Sequence, residues 1–355
     1  MRRLKYTARM RRWLPLLPLT LIAAVPSFDW GFRRGLEPLP VQGAPGPDRC
    51  GRCHAEVDDW KGSRHHSAWS NDIFQAGYIL EPQAFCVNCH APLPEQGDEI
   101  EVNHPWYLAM HPESKAPLPA KQPERKADQG IHCSVCHWRE GEVLAPKRSG
   151  KAPHPVREAP EMSDPAFCKS CHEFPMPAFH GGEIRVTETP MQSTWTEWAA
   201  YAAANGKGTC QSCHMPDGKH TFKGGHDIDL LRASVQVDVA VNGEEAVFTL
   251  RSVGVGHHFP TGDLFRNLQL QVKENGEWMT LRRFGREFEL TPEGTEIVKR
   301  LVQETSLVPG VPQEVPAPRG LPWRLDYHYG APLDEVAGLV PYDRLVVTLL
   351  EGTTP

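Results

Sequence analysis

From about Leu230 to the C-terminus, apolar positions alternate with polar ones, which is the period of a strand with one face in a core. Val235, Val237, Val239 and Val241 lead into Asn242-Gly243, a turn signal, and Ala246 to Val253 returns as the second arm of a hairpin. Leu268, Leu270 and Val272 repeat the period before a second turn at Glu274-Asn275-Gly276. Trp323, Leu325, Tyr327 and Tyr329 form a further alternating run, and Leu345, Val347 and Leu349 another. About seven short strands in roughly 125 residues predict an all-β sandwich of immunoglobulin-like kind over 230–355. Upstream the pattern is different. One helix is well signalled, from Met191 to Ala204, rich in alanine and ending at Asn205-Gly206. The rest of 46–229 reads as irregular, mostly helix and loop, so the chain is expected to be multidomain.

The N-terminus has its own pattern. Arg2, Arg3, Lys5, Arg9, Arg11 and Arg12 precede an apolar run from Leu14 to Val25, which reads as a signal peptide over residues 1–27. The run is shorter than the roughly 20 apolar residues that a membrane span needs, although an uncleaved anchor stays open. A Pro/Gly-rich linker over 28–45 follows. Without residues 1–27, which hold six basic and no acidic side chains, the net charge moves from −6 to −12. Such a chain is expected outside the cytoplasm, in the periplasm of a bacterium. Its charge excludes nucleic acid as a partner and disfavours anionic membrane.

Composition changes the picture of the first domain. Proline occurs 34 times in 355 residues, about twice its usual share, which argues against long helices. All ten cysteines fall into five copies of one signature: Cys50/Cys53/His54, Cys86/Cys89/His90, Cys133/Cys136/His137, Cys168/Cys171/His172 and Cys210/Cys213/His214. Two cysteines three apart can each form a thioether to a porphyrin vinyl group, and the adjacent histidine is placed to ligate the iron. Structural zinc needs four ligands per ion and gives no reason for a histidine after every second cysteine. Five covalently bound haem c groups are therefore the expected cofactors. With about 37 residues per haem, the first domain cannot build an apolar interior from polypeptide alone.

The segments around the motifs carry a resemblance. A haem motif, then Trp60, then Ser63-Arg64-His65 and Ala68 resembles the cytochrome c-552/c-554 family of multihaem cytochromes, whose relatives include hydroxylamine oxidoreductase. His154-Pro155 ahead of Phe167-Cys168-Lys169-Ser170-Cys171-His172-Glu173-Phe174 is similar to the same family. So are Met191-Gln192-Ser193-Thr194-Trp195-Thr196-Glu197-Trp198 and the loop Gly256-His257-His258-Phe259-Pro260-Thr261-Gly262. The resemblance implies that His65, His154 and His257 are second axial ligands reaching haems attached elsewhere. A solvated role for His65 and His66 stays open, as do His258 in place of His257 and His180 in place of His154. His220 and His226 complete the expected set; their spacing and Gly224-Gly225 between them suggest service to different haems. His104 and His111 are further candidates, and His132 reads as a bystander.

The implied function is an exported pentahaem cytochrome that moves electrons between redox partners through closely packed haems, each with two histidines. Other redox proteins or a quinol-linked membrane complex are the expected partners, with self-association open. A multi-electron oxidoreductase acting on a small nitrogen or sulfur oxyanion at one open haem is the alternative. A structural subunit of a cytochrome filament is a third reading. Pentahaem nitrite reductase marks its catalytic haem with lysine in place of the motif histidine, whereas all five motifs here carry histidine, which weighs toward the carrier.

Overall fold

The computed structural model describes residues 43–355 apart from 81–83, 98–125, 149, 181–182, 207, 294–295 and 331–338. The expected signal peptide, nearly all of the linker, and His104 and His111 lie outside the described residues. Among the described residues no helix is long and apolar enough to cross a membrane.

The first region is a succession of short helices: α1 (Pro47–Cys50), α2 (Glu56–Lys61), α3 (Asp72–Leu80), α4 (Ala84–His90), α5 (Pro94–Gly97), α6 (Cys133–His137), α7 (Ala166–His172), α8 (Thr194–Asn205) and α9 (Cys210–His214). The signalled helix is α8, the longest of these, closed by Gly206 in the left-handed conformation. Two small sheets, which the sequence pattern does not announce, add to the helix and loop expected here. One holds β1 (Trp138–Arg139), β2 (Glu142–Ala145) and β3 (Val156–Glu158); the other pairs β4 (Glu173–His180) with β5 (Glu183–Ser193). Apolar packing in this region is sparse. Its buried clusters are small, such as Trp69, Tyr78, Ala91 and Ala127, or Leu144, Ala159 and Met162.

The second region begins with α10 (Ile228–Ala233), capped by the Asp227 carboxylate, which accepts from the Leu230 N–H at 2.9 Å. The expected boundary at 229/230 falls inside this helix, whose Leu231 already belongs to the core of the second region. Eight antiparallel strands then form two sheets: β6 (Val235–Asn242), β7 (Glu245–Ser252), β8 (Asn267–Glu274), β9 (Glu277–Glu293), β10 (Glu296–Glu304), β11 (Gln313–Ala317), β12 (Pro322–His328) and β13 (Val346–Thr353). Their spatial orders are β11-β7-β6 and β10-β9-β8-β12-β13. The Asn275-Gly276 turn has positive φ at both residues, which makes it a tight hairpin of the kind that matches strand twist. Seventeen buried side chains, thirteen of them on strands of the two sheets, share one core, with Phe248 edge-on to Trp323 at 5.3 Å between ring centres. Fully burying Phe248, Leu250, Leu270 or Leu325 stabilises this core by roughly 1.5–3 kcal/mol each.

Contacts between the two regions are direct. Ile73 of α3 packs on the two-sheet core, and Ala76 of α3 is buried with Val340 and Leu345. Arg344 pairs with Asp72 beside them.

Candidate haem sites

Each motif sits at a helical turn. A spacing of three puts the two thiols of a motif on one face, and the following histidine extends the same face by one residue. Thr209 and Ser212 form a reciprocal cap at the start of α9, and the His132 ring accepts from the Ser134 N–H at 3.3 Å at the start of α6. The buried bystander histidine is thus a helix cap.

Hydrogen bonds set the tautomers of the motif histidines. The Nδ1–H groups of His90, His137 and His214 donate to the carbonyls of Ala68 at 2.7 Å, Leu144 at 2.8 Å and Lys223 at 2.5 Å. His257 does the same to His258 at 2.8 Å. A ring whose Nδ1 carries the proton offers the Nε2 lone pair to a metal. Burial disfavours the charged form of five of the site histidines. With help from neighbouring imidazoles, it pushes His65 down to about 3 and His172 to about 4. It also lowers His90, His137 and His257.

Four of the motif histidines face a second histidine. The ring centres of His54 and His154 lie 6.3 Å apart, His172 and His65 6.4 Å, His137 and His220 6.1 Å, and His214 and His257 6.2 Å. Two imidazoles bound through Nε2 to opposite sides of one metal ion, at about 2.0 Å per nitrogen, hold their ring centres roughly 6.3 Å apart. The donor set therefore fits iron with two axial histidines at four motifs. Each second histidine comes from a distant part of the chain, and His257 crosses over from the two-sheet region.

The second motif is different. The His90 ring lies flat against Phe74 at 3.7 Å, and among the described residues no histidine ring faces it. His226 is stacked on Tyr329 instead, 4.5 Å between ring centres and 6° between planes. It stands beside Arg266 and Arg64, and burial together with these cations pushes its ring down to about 2. The Arg266 guanidinium donates to the Thr261 carbonyl and packs so closely on Gly225 that a Cβ there would meet Nη1 and the Tyr327 hydroxyl, each at 3.2 Å. Asp263, on the same loop, acts on His90. His258 and His66 have other neighbours. They lie against Glu197 and Trp60 respectively.

The motifs adjoin one another. The Cys50 and Cys133 thiols are within hydrogen-bonding reach, as are Cys168 and Cys210, and Cys89 and Cys171. Cys136 and Cys168 also feel one another's charge. The first motif thus joins the third, the third joins the fourth, and the fourth joins both the second and the fifth. The ten attachment cysteines are not alike, because Cys53 and Cys213 are exposed while the other eight are half-buried. The reason is position. In the first and the fifth motif it is the partner cysteine, Cys50 or Cys210, that turns toward the neighbouring motif, leaving Cys53 and Cys213 on the outer side. A surface position leaves a thiol free to form a thioether, so the pairs Cys50/Cys53 and Cys210/Cys213 still fit a porphyrin, one whose edge at Cys53 or Cys213 lies near solvent.

Sequence reasoning finds all five motifs and the four facing histidines. It does not find Phe74, Arg64, Arg266, Tyr329 or Glu197 as site residues, because none of them stands in a spacing that marks it.

No family model and no curated protein matches the sequence. Among solved structures the chain is similar to a penta-heme cytochrome c552 from Thermochromatium tepidum, with a TM-score of 0.61 at 18% sequence identity. The likeness covers 87% of this chain and 98% of that one, so it spans both regions of the fold.

Proposed function

We propose that this chain is an exported electron-transfer cytochrome carrying five covalently bound haem c groups, a member of the cytochrome c-552/c-554 family. The observation that carries this reading is the set of four motif histidines, each facing a second histidine with ring centres 6.1–6.4 Å apart. Haem c supplies a one-electron ferric/ferrous couple, and two histidines per iron favour the low-spin state suited to rapid exchange. The polypeptide's part is to attach each porphyrin through its cysteine pair, to present the imidazoles to the iron, and to keep neighbouring sites adjacent. His54, His90, His137, His172 and His214 are the proximal ligands, and His154, His220, His65 and His257 the second ligands of the first, third, fourth and fifth sites. Partners would be other exported redox proteins or a quinol-linked complex. The two-sheet region, read as an immunoglobulin-like sandwich, supplies one ligand and a platform for docking.

A second reading has its own observation. At the second site His90 has no facing imidazole among the described residues, while His226 is stacked on Tyr329 beside Arg64 and Arg266. This favours one open iron at which a small nitrogen or sulfur oxyanion could be reduced, and His226 would then be a pocket residue, not a ligand.

Absorption and EPR spectra of the mature holoprotein, with haem quantified per chain, test both readings. Five haems per chain with at least four low-spin centres are expected. A single high-spin centre that binds carbon monoxide would favour the second reading. Fewer than five haems, or mostly high-spin iron, would overturn the carrier.

A further inference from the structure

Two of the segments that carry the family resemblance meet at one buried carboxylate. Glu197 lies in the first turn of α8, and its side chain is only 7% exposed. Its Oε1 accepts from the Ser193 hydroxyl at 2.7 Å; its Oε2 accepts from the Thr261 hydroxyl at 2.6 Å and from the His258 N–H at 3.3 Å. The Thr261 hydroxyl, having given its proton to the carboxylate, accepts from Thr194 at 2.9 Å. Gly256 brings the same loop down on α8, where a Cβ would meet the Tyr201 ring at 3.3 Å. Among the described residues no lysine or arginine pairs with Glu197. The nearest nitrogen of an ionisable side chain is His258 Nδ1 at 3.9 Å.

This arrangement is costly as mere scaffolding. A buried carboxylate without a cation loses much of its hydration energy, and three hydrogen bonds from neutral donors offset only part of that. A leucine or glutamine would join α8 to the loop with less expense. What the negative charge adds is a field, and it acts on His257, the neighbour of a residue that it grips. An anion held in a low-dielectric setting near an iron centre favours the ferric over the ferrous state, because oxidation adds one positive charge.

We propose that Glu197 is the positioning residue of the fifth haem site: it fixes the His257 loop of the two-sheet region against α8, and its charge holds the potential of that site low. This rests on the reading of His257 as the second ligand of that site. The fifth site would then lie lower in potential than its ligands alone would set it, and it adjoins the fourth, against which the Cys168 and Cys210 thiols place it.

The test uses holoprotein variants in a spectroelectrochemical titration monitored by EPR. His257→Ala first identifies the low-spin signal of the fifth site by its loss; if every signal survives, the ligand assignment fails, whatever Glu197 does. Glu197→Gln keeps shape and most hydrogen bonds but removes the charge. It should leave all signals low-spin and raise the midpoint of the one signal that His257→Ala removes. Glu197→Ala should in addition convert part of that signal to high-spin, with Glu197→Asp restoring it in part. A Glu197→Gln protein whose fifth-site midpoint is unchanged or lowered would overturn the electrostatic role. A Glu197→Ala protein that stays wholly low-spin would overturn the positioning role.

Discussion

At the scale of single residues, the sites depend on backbone that only certain side chains permit. Gly130 precedes the third motif with φ of 55°, and a Cβ on it would run into the carbonyl oxygens of His65 and His66. That contact is close because the next residue, Ile131, donates its N–H to the His65 carbonyl at 2.8 Å. One glycine therefore lets the third motif's approach support the histidine that faces His172, at the fourth. Gly130→Ala combines positive-φ strain with a direct clash, and the turn that holds His65 would have to shift. We expect one low-spin signal to be lost or broadened in this variant, that of the fourth site, with a fall in stability of about 2 kcal/mol or more. A Gly130→Ala protein whose EPR spectrum and melting curve match the parent would refute this coupling. The glycine is visible in the sequence, but its partner is not, since the two segments are far apart along the chain.

At the scale of elements, legibility follows regularity. Strands β6, β7, β8, β12 and β13 are announced by strict alternation and by the Asn-Gly turns, because each buries one face and pairs with a neighbour in sequence or across one core. The long hairpin of β9 and β10 is not announced. Arg282, Arg283, Arg286, Glu287 and Glu289 interrupt its period, and its outer part is not held in the core: Leu290 is 65% exposed and Val302 53%. The motif helices are legible as chemistry and not as helices, being four to seven residues long in the main. Pairing of the ligands is the least legible feature, since facing histidines stand from 43 positions apart (His214 and His257) to 107 (His65 and His172). Their spacing carries no local signal, and only resemblance points to three of them. Within β12 a prediction concerns acid. His328 is buried, its Nε2 has no hydrogen-bond partner, and burial, strengthened by Arg283 and Arg324 against the opposing Asp326, pushes its ring down to about 4. The unfolded chain takes up a proton near pH 6.5 and the folded one only near 4. Its contribution to stability is therefore full above about pH 6.5 and is lost as pH falls toward 4, on the order of 3 kcal/mol over that window. Tryptophan-monitored urea unfolding should show His328→Gln with a shallower decline between pH 7 and 5. Equal slopes in parent and variant would remove His328 as the cause.

At the scale of the whole molecule, the two regions solve the problem of burial differently. The second has seventeen side chains in one core built on two sheets and the segments that flank them, enough for a domain of its size to fold from polypeptide alone. The first has only clusters of two to four buried side chains, such as Trp69, Tyr78, Ala91 and Ala127. Porphyrin is the apolar material that region lacks. The junction reflects the same division. Leu231 of α10 is buried in the second core, and Arg232 donates from its Nε to the Leu349 carbonyl at 3.2 Å, so the helix belongs to the two-sheet region. Upstream, residues 217–219 are exposed, with Asp217 and Gly218 at positive φ, and Lys219 and Lys223 offer cleavage sites. Chain produced without haem attachment should therefore be cut by trypsin throughout the first region, leaving a resistant fragment that begins at His220 or Gly224 and runs toward the C-terminus. The holoprotein, on the proposed reading with haem filling the first region and His257 tying the two regions together, should resist under the same conditions. Mass spectrometry of the digests decides the matter. If the haem-free chain is as resistant as the holoprotein, the first region has a core of its own. If the haem-free second region is degraded as fast as the first, then its seventeen-residue core depends on the docked haem sites for its stability.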